Sequence, residues 1–131
     1  MLGDHNPIPT LAVKDVQTAR DFYEGVLGLT PAGEPPEGVA YRAGNSMFLV
    51  YPSAYAGTNK ATAMSFQVPK DRFDDEVAAL REKDVTFQTF EAEGLTWDDG
   101  VASAGDVFRS VWFADPDGNI LNVETDNTLP T

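Results

Sequence analysis

The 131-residue sequence predicts a single α+β domain, residues 1–131, built from two copies of one βαβββ module. Three observations lead there. A short alternating strand, Thr10-Leu11-Ala12-Val13, recurs later as Ser65-Phe66-Gln67-Val68. Each copy runs directly into apolar residues spaced three and four apart, the period of a helix with one buried side. Each helical stretch is followed by further alternating segments broken by turn residues, and self-similarity at that scale marks a duplicated unit.

The first module covers residues 8–52. Asp15 is placed to cap a helix whose apolar side is Val16, Ala19, Phe22, Tyr23, Val26 and Leu27, and Gly28 ends it. An extended piece at 30–34, a strand at 39–42, the turn Ala43-Gly44-Asn45 and a strand at 47–51 complete it. Residues 53–61 read as a linker. In the second module, residues 62–125, Asp71 is expected to cap a helix with the stripe Phe73, Val77 and Leu80. An extended piece at 85–90, a long loop at 91–105 and a strand at 107–113 follow. The turn Asp115-Pro116-Asp117-Gly118-Asn119 then leads into a last strand at 120–124. Pro presets φ at the second turn position, and Gly-Asn tolerates positive φ. Residues 126–131 read as a frayed tail.

Composition narrows the function. With 42% hydrophobic residues the chain can fill a core, and with no cysteine a disulfide scaffold and cysteine-ligated metal sites are excluded. No apolar run approaches the roughly 20 residues of a membrane span, and the start MLGDHNPIPT has no signal-peptide pattern, so a cytoplasmic protein is expected. A net charge of -12 repels phosphate backbones and anionic lipid, which argues against nucleic acid and membrane partners. The charge is uneven: residues 1–65 carry 4 basic and 6 acidic side chains, residues 66–131 carry 5 and 15. Such a second half favours cationic or neutral ligands.

The segments Val13-Lys14-Asp15, Ala19-Arg20-Asp21-Phe22-Tyr23, Val26-Leu27-Gly28-Leu29 and Trp112-Phe113-Ala114-Asp115-Pro116-Asp117-Gly118-Asn119 resemble the vicinal oxygen chelate superfamily over residues 8–125. That superfamily contains glyoxalase I, bleomycin-resistance proteins and extradiol dioxygenases. The resemblance implies curved mixed sheets that cup a pocket, often completed by the partner chain of a homodimer. In metal-dependent relatives a His or Gln opens the first strand of a module, and Glu residues follow the DPDGN turn and end the first module. The matching positions here are Ile8, Ala63, Asn122 and, approximately, Leu49. Apolar side chains donate nothing to a divalent ion, so no metal and no cofactor are expected.

Strand alternation assigns the faces. Leu11, Val13, Phe66, Val68, Val111, Phe113, Leu121 and Val123 are expected beneath the helices. The other face then carries Ile8, Thr10, Ala12, Met47, Leu49, Tyr51, Ala63, Ser65, Gln67, Ser110, Trp112, Ile120, Asn122 and Glu124, with Tyr41, Tyr55 and Phe108 nearby. Within the loop Leu95-Thr96-Trp97-Asp98-Asp99-Gly100, Trp97 reads as a ligand contact. The expected ligand-binding set is Met47, Leu49, Tyr51, Ser65, Gln67, Trp97, Trp112, Asn122 and Glu124. His5, the single histidine, reads as a surface residue, and Asp115 and Asp117 read as turn formers.

The leading expectation is metal-free binding of a hydrophobic or aromatic small molecule, neutral or cationic, such as an antibiotic, similar to the bleomycin-resistance branch. The rivals are a lyase, isomerase or dioxygenase holding a metal through substituted ligands, and a metal-free lyase or isomerase with Glu124 as base.

Overall fold

Two mixed sheets organise the chain, and the computed structural model describes residues 1–4, 6–36, 38–105 and 108–125, without the Leu2 side chain. His5, Val107 and the tail 126–131 lie outside the described residues. The first sheet comprises β1 (Thr10–Val13), β2 (Thr30–Gly33), β3 (Val39–Ala43) and β4 (Ser46–Pro52) in the order β1-β4-β3-β2. The second comprises β5 (Thr62–Val68), β6 (Thr96–Asp98), β7 (Val101–Ala104), β8 (Phe108–Ala114) and β9 (Ile120–Thr125) in the order β5-β9-β8-β7-β6. In each sheet the first strand pairs parallel with the last, and the remaining pairs are antiparallel. The duplication read from the sequence is thus repeated in the topology.

The chain forms two compact units, Met1–Asn59 with Asp115–Asn119, and Lys60–Ala114 with the chain from Ile120 onward. In the first, α1 (Val16–Arg20) is capped by Asp15, whose side chain accepts from the Thr18 N–H at 3.0 Å. It continues as a π-helical turn, Asp21–Val26, and Gly28 exits at φ 73°. Ala19 and Tyr23 are buried, with the Tyr23 ring 5.7 Å from Tyr41 and 5.6 Å from Phe48. Tyr41, expected near a pocket, is instead core: it shares the buried face of β3 with Val39 and pairs in register with Phe48.

The turn 115–119 is stapled into this unit. Asp115 Oδ1 accepts from the N–H groups of Asp117 and Asn119 at 2.9 and 2.8 Å, and Oδ2 from the Tyr23 hydroxyl and Asn119 Nδ2, each at 2.9 Å. Asn119 Nδ2 also donates to the Ala12 carbonyl, and Asp117 accepts from the Lys14 N–H. Every acceptor of Asp115 is therefore committed to architecture, as a turn former requires.

In the second unit, α2 (Phe73–Glu82) buries Phe73, Val77 and Leu80. Asp71 is not its cap. A 3-10 turn, Lys70–Arg72, follows Pro69 and moves the cap position to Arg72, which makes no side-chain cap bond. Asp74, Asp75 and Glu76 in the first turn complement the helix dipole instead. Arg109 of β8 lies over the Phe73 ring at 4.8 Å and pairs with Asp74 at 2.8 Å, which fixes α2 on the side of Val111 and Phe113. Val111, Phe113, Leu121 and Val123 are buried as expected, whereas Phe66 and Val68 are half-buried because β5 is an edge strand.

Residues 91–105, expected as a loop, contain a β-hairpin. Its two-residue turn is Asp99-Gly100, with φ of 49° and 83°. Positive φ at both central positions is the type I′ geometry that suits the twist of the flanking strands. Residues 85–90 form no strand; Gln88 makes a single bridge, its N–H donating to the Trp112 carbonyl at 2.8 Å. Among the described residues no helix is long and apolar enough to cross a membrane.

Candidate functional site

The register of the second sheet sets two rows of side chains on the face opposite α2. One row runs Gln67, Glu124, Ser110, Ala102, Trp97, and the next runs Ser65, Asn122, Trp112, Gln88. Directly paired residues point to the same side of a sheet. Six expected ligand contacts, Ser65, Gln67, Trp97, Trp112, Asn122 and Glu124, are thereby brought onto one face. Met47, Leu49 and Tyr51 alternate with buried Phe48 and Val50 and lie, half-buried, on the first sheet. The expected set is thus divided between two units. Tyr55 is 80% exposed, and Phe108 shares the face of Ser110 and Trp112.

The aromatic part of the second-sheet face is a three-ring cluster. Phe90 stands edge-on to both tryptophans, 5.2 Å from Trp97 at 77° and 4.8 Å from Trp112 at 75°, and the indoles are 6.0 Å apart. Phe90 was not among the expected contacts. It lies two residues beyond Gln88, the bridge partner of Trp112, and with no strand over 85–90 the sequence offers no alternation from which to read it. The cluster is not core: Phe90 is 46% exposed and both tryptophans are half-buried.

Beside the rings lies a polar strip. Ser110 and Asn122 are 0% and 2% exposed, and the Asn122 amide donates to Ser110 Oγ. Burying two polar groups costs little when they satisfy each other. Asn122 is therefore a support for the face, and the half-buried Gln67 and Glu124, linked at 3.5 Å, are left at its surface together with the exposed Ser65 and Gln88.

The superfamily's divalent ion does not fit this donor set. Ile8 is half-exposed and apolar, Leu49 and Ala63 offer no donor, Ala63 falls at a register shift, and Asn122 supplies at most one neutral amide oxygen, on a side chain buried against Ser110. Among the described residues no three His, Asp or Glu side chains converge.

The perturbed titrations lie in the first unit. Burial, then the charge of Asp115, pushes the Tyr23 phenol far above its ordinary range; burial, then its bond to Glu24, does the same for Tyr41. Glu24 is held below the usual carboxylate range, first by Arg20 and then by the Tyr41 hydroxyl. These groups hold the fold together and are not on the ring-bearing face of the second sheet.

Residues 7–123 match the family model of the Glyoxalase/Bleomycin resistance protein/Dioxygenase superfamily. Among solved structures the chain is similar to the fosfomycin resistance protein FosX from Listeria monocytogenes, at 12% identity over 95% of this chain and 94% of that one, TM-score 0.72. It is similar to a glyoxalase/bleomycin resistance protein/dioxygenase from Alicyclobacillus acidocaldarius, at 18% identity over 92% and 91%, TM-score 0.69. It is also similar to a lactoylglutathione lyase from Agrobacterium tumefaciens, at 19% identity over 92% of each chain, TM-score 0.65. No curated protein sequence matches. At these identities the likeness is one of fold.

Proposed function

The chain belongs to the glyoxalase/bleomycin resistance protein/dioxygenase superfamily, and from that premise we propose that it is a metal-free small-molecule binding protein. It sequesters a hydrophobic, aromatic ligand, such as an antibiotic, on the ring-bearing face of its second sheet. The observation that supports this reading is the Phe90, Trp97 and Trp112 cluster, three rings in mutual contact yet partly open to water. Flat aromatic surfaces stack planar ligands, each contact contributing about 0.5 to 1.5 kcal/mol beyond area burial. Gln67 and Glu124, at the far end of the same row, orient the polar end of the ligand. Turnover through a metal has no support in the donor set at Ile8, Leu49, Ala63 and Asn122. A homodimer and a cytoplasmic location belong to the same reading, and elution at the mass of one chain in gel filtration would remove the dimer.

Elemental analysis of protein purified without chelator, followed by thermal shifts with nickel, zinc, manganese and iron(II), tests the proposal. The expected result is no stoichiometric metal and no metal-specific rise in melting temperature. A planar aromatic ligand is expected to quench tryptophan fluorescence, with Trp112→Ala weakening it about tenfold, as truncation of an aromatic anchor does. A stoichiometric metal would overturn the reading, since a bound metal stabilises the native state by mass action.

A further inference from the structure

The sequence contains two Asp-Gly pairs, Asp99-Gly100 and Asp117-Gly118, and no Asn-Gly. In Asp-Gly the main-chain nitrogen attacks the preceding side-chain carboxyl more readily than elsewhere, because glycine sets no Cβ beside the nucleophile. The two pairs stand in different surroundings. At Asp117-Gly118 both reacting groups are occupied: the Gly118 N–H donates to the Asp115 carbonyl at 3.0 Å, and Asp117 Oδ1 accepts from the Lys14 N–H at 3.0 Å. Asp99-Gly100 is the central dipeptide of the β6–β7 turn, beyond the last paired residues Asp98 and Val101, so its own N–H groups take no part in the ladder. The Asp99 side chain is 86% exposed and meets Arg81 at 3.4 Å, and an ion pair this open to water holds its carboxylate weakly. Arg81 also donates to the Asp99 carbonyl oxygen. That oxygen belongs to the same peptide group as the Gly100 nitrogen, so the bond draws electron density from the N–H and eases loss of its proton.

We propose that Asp99 is a site of spontaneous main-chain modification, from an aspartyl to an isoaspartyl linkage through a cyclic imide. The Gly100 nitrogen bonds to Cγ of the Asp99 carboxylic acid, the Cγ–OH bond breaks, and the hydroxyl leaves as water with the amide proton. Water then adds back across one of the two imide C–N bonds. Opening at Cγ restores the aspartate, whereas opening at the original main-chain carbonyl leaves the chain running through Cγ. No oxidant or cofactor enters, and the mass returns to its starting value. The isoaspartyl linkage adds one methylene to the main chain of a two-residue turn whose closure depends on its backbone dihedrals. The next ladder pair but one is Trp97 with Ala102, so the modification draws Trp97 away from Phe90 and Trp112. Its cost to ligand binding rests on the reading of this face as the ligand site; the modification itself does not.

Intact protein aged for several weeks at body temperature and neutral pH, beside the same protein aged in urea, provides the test. Isoaspartate is read by methyl transfer from S-adenosylmethionine with an isoaspartyl methyltransferase, and located by electron-transfer fragmentation of tryptic peptides. Trypsin separates the two pairs, one in 84–109 and the other in 110–131. The folded protein is expected to accumulate isoaspartate several-fold faster at Asp99 than at Asp117, and the unfolded chain at both alike. Asp99→Glu keeps the charge but would have to close a six-membered ring, so it is expected to abolish the signal in 84–109. Aged folded protein is expected to show shifted tryptophan fluorescence and weaker binding of a planar aromatic ligand in proportion to its isoaspartate, and aged Asp99→Glu neither. Equal rates at the two pairs in the folded protein, or a signal in 84–109 that survives Asp99→Glu, would overturn the inference. Modification at Asp99 with fluorescence and binding unaltered would overturn the consequence drawn for Trp97. Fresh protein that binds no aromatic ligand would sink the proposed function and leave the chemistry of Asp99 standing.

Discussion

Each unit carries a cluster of three aromatic rings at nearly the same spacing, and the two clusters stand in opposite relations to water. In the first unit Tyr23, Tyr41 and Phe48 lie 5.5 to 5.7 Å apart, none more than 2% exposed, with both phenol hydroxyls bonded to carboxylates. In the second, Phe90, Trp97 and Trp112 lie 4.8 to 6.0 Å apart on the face opposite α2, with Phe90 nearly half exposed. Ring clustering by itself does not separate a core from a binding surface. What separates them is which face of the sheet the helix covers, and that is set by strand parity.

Truncation of one ring in each cluster gives the sharpest contrast and the largest effect. Tyr23→Ala removes a fully buried ring and one of the two donors to Asp115 Oδ2, and urea unfolding is expected to register a loss of about 3 to 5 kcal/mol. Phe90→Ala is expected to cost less than about 1 kcal/mol of stability, the range for partly exposed positions, while weakening ligand binding. Comparable destabilisation by the two variants would make both clusters cores and remove the ground for treating the second as a surface.

The phenols give the comparison a pH axis. Both are raised in the folded state, chiefly by burial, so the fold favours their neutral forms. Stability from them is complete below about pH 10, the ordinary phenol value, and is lost above it as the unfolded chain ionises while the folded chain resists. The urea midpoint is therefore expected to be flat from pH 8 to 9.5 and to fall toward pH 11. Tyr23→Phe is expected to lose about 1 to 3 kcal/mol at neutral pH, from the carboxylate left short of a donor, and to show a shallower alkaline fall. An unchanged alkaline slope would mean that the fall comes from phenols elsewhere.

Much of this arrangement was legible in the sequence. Alternation gave the buried sides of β1, β8 and β9, and Asp15 announced its own capping bond to Thr18. Turn chemistry placed the 115–119 reversal, although nothing in its five residues indicates that Asp115 is bonded to Tyr23, a contact made across 92 positions. Three readings failed for physical reasons. Asp71 was displaced by a 3-10 turn that propensity does not distinguish from a first helical turn. Tyr41 looks amphipathic and available, but its hydroxyl finds Glu24 and its ring stacks on Tyr23 of the π-helical turn. The 91–105 stretch reads as a loop for its glycines and carboxylates, yet Asp99-Gly100 between Thr96-Trp97-Asp98 and Val101-Ala102-Ser103 is a hairpin signal. In the candidate site, strand parity puts Gln67, Glu124 and Trp112 on one face, whereas Trp97 is singled out only by its loop-like surroundings. Phe90 was missed because residues 85–90 carry one bridge and no strand to count from.

That missed hairpin supplies the smallest of the expected effects and the most specific. Gly100 has φ 83°, and a Cβ there stands 3.2 Å from Phe87 Cβ, so Gly100→Ala adds a close contact to a strained backbone. Gly44, in the turn between β3 and β4, has φ 58° with nothing within 4 Å of its Cβ position, so Gly44→Ala adds backbone strain alone. Each is expected to lose roughly 1 to 2 kcal/mol by thermal or urea unfolding, the usual cost of a side chain at positive φ. Only Gly100→Ala disturbs the strand that presents Trp97, so only it is expected to weaken aromatic ligand binding and shift tryptophan fluorescence. Equal affinity in the two variants would mean that Trp97 does not depend on the Asp99-Gly100 turn for its position, and that the ring cluster is held by Phe90 and Trp112 instead.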